Sequence, residues 1–119
     1  MSLTLEQTLQ TALVALCPRS YPDVAPEGTA TPYVVWHQFG GQAPIYTESA
    51  LIDRRNAYVQ INVWADTKAA SATLSLQIEQ ALVAHPVLQA EPQNALQAAY
   101  DEDTTLRGSM QDFSIWAPR

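Results

Sequence analysis

The chain changes hydrophobic period several times along its length. Over residues 4–16, Leu5, Leu9, Ala12, Leu13 and Leu16 recur three or four positions apart, the spacing of one buried helical face. Thr4 with Gln7 supplies a capping-box start. Cys17-Pro18 ends the helix, because a residue before proline avoids helical dihedrals. Residues 18–31 carry Pro18, Pro22, Pro26 and Gly28 among small polar residues and read as an irregular connection.

From residue 32 the period shortens to two. Pro32-Tyr33-Val34-Val35-Trp36-His37-Gln38-Phe39 is rich in β-branched and aromatic types and predicts a strand closed by Gly40-Gly41. Residues 45–52 predict a second, weaker strand. Residues 55–65 give the clearest alternation, with Ala57, Val59, Ile61 and Val63 between Tyr58, Gln60, Asn62 and Trp64. One aliphatic face and one polar-aromatic face describe a strand covered on one side.

The helical period returns over 67–85. Asp66 caps this helix, Ala70, Leu74, Ile78, Ala81 and Leu82 form its buried stripe, and His85-Pro86 ends it. Residues 95–100 and 109–116 then predict a hairpin around the acidic tip Asp101-Glu102-Asp103. The order is α-β-β-β-α-β-β. Two helical stripes and one aliphatic sheet face cover one another most economically as an α+β fold. Its antiparallel sheet has four to five strands, with both helices on one face. Residues 1–119 form one domain, since a chain of this length fits a single core.

Charge narrows the function. Twelve acidic residues against six Lys or Arg give a net charge of −6. That is the wrong surface for gripping phosphates, since affinity for nucleic acid rests on basic residues releasing counterions. Residues 1–5 lack a positive charge and Glu6 precedes the apolar run 11–17, so no secretory signal is expected. No apolar stretch approaches the roughly 18–20 residues of a membrane span. Cys17 is the only cysteine, which rules out an internal disulfide and a multi-cysteine zinc site.

Catalytic chemistry finds little material. His37 falls in a strand and His85 at a helix end, with no spacing that makes a metal site. Cys17 reads as a small hydrophobe closing a helix rather than a nucleophile. Gly40-Gly41 lacks the spacing of a phosphate loop, and Asp101-Glu102-Asp103 lacks that of a calcium loop. No catalytic residue, cofactor or metal is expected. Acid, base and nucleophile do not converge.

The aromatic residues carry more. Trp36, Trp64 and Trp116 fall in three strands, and with Tyr58 they are expected to crowd the sheet face that the helices leave open. Large contiguous apolar patches are rare on monomers, and Trp and Tyr are enriched at interface centres. Arg54 and Arg55 point to opposite sides of their strand and are candidates for an ion pair between subunits. Candidate contact residues are therefore Trp36, Arg54, Arg55, Tyr58, Trp64, Asp101, Glu102, Asp103 and Trp116, with the segment 42–53 beside them.

One family pattern accommodates these elements: a short first helix and Pro-rich loop, then Pro32-Tyr33-Val34-Val35-Trp36. Next comes Tyr58-Val59-Gln60-Ile61-Asn62-Val63-Trp64-Ala65-Asp66 running into an Ala-rich helix, and the end is Asp112-Phe113-Ser114-Ile115-Trp116. The chain resembles the small tail-completion, or tail-terminator, proteins of long-tailed bacteriophages and prophages. The resemblance implies a non-enzymatic structural protein that forms a ring, usually a hexamer, on the head-proximal end of the tail tube. Such a ring stops tube growth and enables head–tail joining. Its partners are further copies of itself, the tail tube protein and the head–tail connector, and DNA passes through its channel without specific binding. The implied location is the virion tail, with the host bacterial cytoplasm during assembly and no membrane. Another tail or connector component (tube, baseplate or adaptor) is the alternative.

Overall fold

A computed structural model describes residues 3–45 and 53–118. The elements are α1 (Leu5–Leu16), β1 (Ser20–Pro22), β2 (Tyr33–Gln38), β3 (Arg54–Ala65), α2 (Lys68–Ala84), β4 (Glu91–Pro92), β5 (Gln97–Tyr100) and β6 (Arg107–Pro118). The described residues form an α+β fold, with two helices and a six-stranded, mostly antiparallel sheet. The expected order of element types holds, with the two-residue β4 added and with β1 as one of the three strands described between the helices. The weak strand expected over 45–52 lies, Ile45 apart, outside the described residues. A parallel strand that the sequence pattern does not betray, β1, sits in the proline-rich connection and pairs with β2.

β3 and β6 are the spine, antiparallel from Arg54 opposite Pro118 to Ala65 opposite Arg107. Their alternation turns Ala57, Val59, Ile61, Val63, Phe113, Ile115 and Ala117 toward the helices, where all are buried. Leu5, Leu9 and Leu13 of α1 and Leu74, Ile78 and Leu82 of α2 close over them. The capping box starts α1 as expected: Gln7 N–H donates to Thr4 Oγ1 at 3.1 Å, and Thr4 N–H to Gln7 Oε1 at 2.9 Å.

α2 departs from expectation at its start and along its stripe. Its cap is Thr67, which accepts from the Ala70 N–H at 3.1 Å. Asp66 instead accepts from the Thr31 hydroxyl at 2.8 Å, tying the proline-rich loop to the body. Ala70 is exposed, and Ser71 and Ser75 occupy the buried stripe. For Ser71 the reason is a buried polar match: its Oγ lies 2.8 Å from Ser109 Oγ of β6, so these two hydroxyls satisfy one another.

Trp36 requires the largest correction. In β2 it is Val34 and Trp36 that face the helices, at 0% and 5% exposure, while Tyr33, Val35 and His37 face the other way. Trp36 is therefore a core residue under α1 and not part of the open sheet face. Its one polar atom decides this, because the indole N–H donates to Gln10 Oε1 at 2.7 Å. A buried Trp is tolerated where its N–H finds such a partner.

The two arginines do point to opposite sides. Arg55, beneath α1, makes a bidentate pair within the chain, at 2.8 and 2.6 Å from the Glu6 carboxylate. The ion pair that Arg55 makes here is therefore within one chain. Arg54 donates to the Trp116 carbonyl at 2.9 Å and bridges β3 to the end of β6.

The Arg55 guanidinium holds the Glu6 carboxyl below its usual range, and Glu6 raises Arg55 in return. A depressed carboxyl contributes stability above its unfolded pKa, which is lost as pH falls through the folded one. Both side chains are about one-third exposed, so the contribution is about 1 kcal/mol at most and weakens with salt. Glu6→Gln should therefore be less stable than the parent chain at pH 7. Urea titrations run down through the carboxylate range should show that gap closing.

Candidate functional site

The sheet face that the helices leave open has two aromatic ends and a polar middle. At one end Tyr33, Trp64 and Gly108 stand in one row across β2, β3 and β6. The Trp64 ring lies over Gly108, where any Cβ would meet it at 2.7 Å, so this row needs glycine. Burial, and then the negative charge of Asp101, pushes the Tyr33 phenol up. The strand register places the acidic tip here too, since Ala99 stands opposite Gly108 and Asp101 follows Tyr100 at the end of β5.

In the middle, Asp112 accepts from Gln60 Nε2 at 3.2 Å and from Asn94 Nδ2 at 3.0 Å, and Asn62 Nδ2 donates to Gln60 Oε1 at 3.3 Å. A carboxylate held between amides is positioned rather than reactive. The continuous apolar face expected from the sequence is interrupted by this band.

At the far end the aromatic residues return. Phe39, 49% exposed, lies 6.1 Å from the His37 ring and 5.9 Å from the Tyr58 ring. Trp116 stands across from Asn56 on the same face, partly buried. Asn56 is the residue that sequence reasoning missed. It is 5% exposed, and its Oδ1 accepts the Gln42 N–H at 2.8 Å. Its Nδ2 donates to Ser114 Oγ at 2.9 Å and to the Ile115 carbonyl at 3.1 Å. Gly41 packs so tightly over it that a Cβ would sit 2.5 Å from the Asn56 carbonyl oxygen. The chain leaving β2 is thus folded back onto the open face and clamped. A lone Asn in a strand gave no signal of this, because only the three-dimensional approach of Gly41 buries it.

The nine candidates are therefore not one patch. Tyr58 and Trp116 share one end with Arg54, whereas Trp64 shares the other with Asp101, Glu102 and Asp103. Trp36 and Arg55 lie on the helix side. His85 closes α2 and accepts the Val87 N–H, and Cys17 is buried at the end of α1. Nothing described brings either of them to His37. Among the described residues no group of His, Cys, Asp or Glu is arranged to hold a metal ion, and no helix is long and apolar enough to cross a membrane.

Comparison with known proteins adds three findings. The sequence profile of a family described as tail completion protein gp17 matches residues 5–117. No curated protein sequence matches the chain. Among solved structures, a chain from a structure titled "Virion of native gene transfer agent (GTA) particle" superposes with a TM-score of 0.59 at 17% identity, covering 90% of this chain and 84% of that one. At that identity the likeness speaks for the fold.

Proposed function

Since the chain belongs to the tail completion protein gp17 family, and is thereby a structural component of a phage-type tail, we propose that it forms a ring capping the head-proximal end of the tail tube. In that position it ends tube growth and presents the surface to which the head connector docks. The observation that carries the reading is the family match over nearly the whole chain.

Three physical features support it. With a radius of gyration of 15.2 Å, one copy is too small to encircle a DNA duplex, so a channel needs several. A ring uses heterologous contacts between two different patches of each copy. The open face offers two separate aromatic ends, Tyr33 with Trp64 and Tyr58 with Trp116, of the residue types that anchor interfaces. The net charge of −6 disfavours tight phosphate binding, which lets DNA slide past. The acidic tip Asp101-Glu102-Asp103 and the segment 42–53 are the proposed contacts to the neighbours above and below. The work is done by binding and exclusion, without a chemical step.

Light scattering on a size-exclusion column, run at several protein concentrations and then with purified tail tubes, tests this. The expected result is a discrete hexamer-sized species, or a monomer that becomes one on tube ends, with tubes no longer elongating. A chain that leaves tube ends bare and tube growth unchanged overturns the reading.

A further inference from the structure

The two edges of the sheet are finished differently. On the β1 side the outward groups are already occupied. The Val34 N–H donates to the Arg19 carbonyl and the Asp23 N–H to the Trp36 carbonyl. By alternation Tyr21 then faces β2, while Ser20 and Pro22 face outwards. The Ser20 carbonyl accepts Gln10 Nε2 of α1 at 2.8 Å. Pro22 has no N–H, and its carbonyl accepts the Val24 N–H at 2.7 Å. With Ser20 only 3% exposed, no further strand can pair here.

The opposite edge is guarded over half its length. In β4, the Gln93 N–H donates to the Asp112 carbonyl, so Glu91 and Gln93 face β6 and Pro92 faces outwards without an N–H. In β5 the guard is missing. The Asp101 N–H donates to the Leu106 carbonyl at 3.1 Å, which continues the β5–β6 register. Gln97 and Ala99 therefore face β6, and the N–H and C=O of Ala98 and Tyr100 face outwards. Among the described residues nothing else bonds to those groups. Gln97-Ala98-Ala99-Tyr100 carries no proline, no lysine and no inward charge, the usual means of closing an edge.

We propose that the β5 edge takes up a short, extended, basic segment of a different protein by strand addition. Charge selects the occupant. The open groups lie between Glu91 and the tip Asp101-Glu102-Asp103, with Glu91, Glu102 and Asp103 exposed. The cation at hand, Arg107, is stacked on the Tyr100 ring at 4.1 Å. A second copy fits poorly. Two β5 strands paired antiparallel point the acidic tip of each copy toward the Glu91 flank of the other, and pairing β5 with β1 meets a closed edge. A segment with β-branched residues between lysines or arginines suits both the hydrogen-bonding groups and their flanks.

The site does not depend on ring formation, so its test stands apart from that of tube capping. Amide hydrogen exchange is followed by NMR on the full chain, alone and with millimolar blocked peptide Lys-Lys-Val-Thr-Val-Thr-Lys-Lys or its glutamate counterpart. The lysine peptide should slow exchange at Ala98 and Tyr100 by about tenfold or more, leaving the already paired Ala99 unchanged. In Ala98→Pro, which removes an outward N–H and leaves the β6 ladder intact, the peptide should no longer protect Tyr100. Three results overturn the proposal. They are equal protection by the glutamate peptide, protection that rises with protein concentration alone (self-pairing), and no protection by either peptide in the unmodified chain.

Discussion

Asn56→Ala should lower the unfolding free energy by about 3 kcal/mol, read from urea midpoints at constant m-value. Few single changes away from the aliphatic core should cost as much. The side chain satisfies the Gln42 N–H, the Ser114 hydroxyl and the Ile115 carbonyl together, inside a site that is 95% covered. Alanine takes the amide partner from the buried Ser114 hydroxyl and from the Gln42 N–H, while the Ile115 carbonyl stays in the β3–β6 ladder opposite Ala57, and each lost partner costs about 1–3 kcal/mol. Water entering the vacated space recovers part of the loss, which is why the separate costs do not add. Asn56→Asp should not rescue the fold, since a carboxylate turned toward the Ile115 carbonyl repels it. The same clamp sets where residues 40–42 leave β2, so the alanine variant should also release Gln42. A loss below about 1 kcal/mol would mean that water replaces the amide without strain.

Asn56 also shows where the sequence pattern stops being informative. The alternation of β3 was readable because Ala57, Val59, Ile61 and Val63 respond to a single demand, burial on one side. The capping box of α1 was readable because Thr4 and Gln7 act within one turn. Trp36 was misplaced for the opposite reason. Alternation fixed which residues of β2 share a face, but both sets contain large apolar side chains. The choice between them rests on Gln10, twenty-six positions away, which accepts the indole N–H. In α2 the apolar pattern points to Ala70, whereas the buried position is Ser71, because Ser109 stands opposite it. β1 has three residues and a proline, too few for any period, and is a strand because Arg19 and Asp23 bond β2 on either side of it. Local demands were legible, whereas those met by a distant partner were not.

The same distinction bears on the proposed site. Phase alone makes Trp64 and Trp116 interface candidates, and phase does not tell a ring that packs on its own sheet from one held for a partner. Trp64 covers Gly108, a backbone stretch with no side chain of its own. Its removal bares that strand, so Trp64→Ala mixes a folding cost with any loss of contact.

Trp116 is the cleaner probe, and Trp116→Ala should weaken assembly far more than folding. Its backbone position does not depend on the ring: the Trp116 N–H donates to the Leu88 carbonyl at 2.9 Å, and its carbonyl accepts from Arg54 at 2.9 Å. The strand therefore stays in place when the indole is removed, and a partly exposed ring forfeits only about 1 kcal/mol of folding stability. A Trp at the centre of an interface, by contrast, carries about 2 kcal/mol or more of binding, roughly a thirtyfold loss of affinity. The measurement pairs urea denaturation of the variant with sedimentation of the ring, or with its binding to tube ends. A small shift in midpoint together with loss of the assembled species places Trp116 in the contact between copies. Equal losses in both would return the indole to the fold of a single copy, and the contact would then have to be sought at the Tyr33–Trp64 end of the same face.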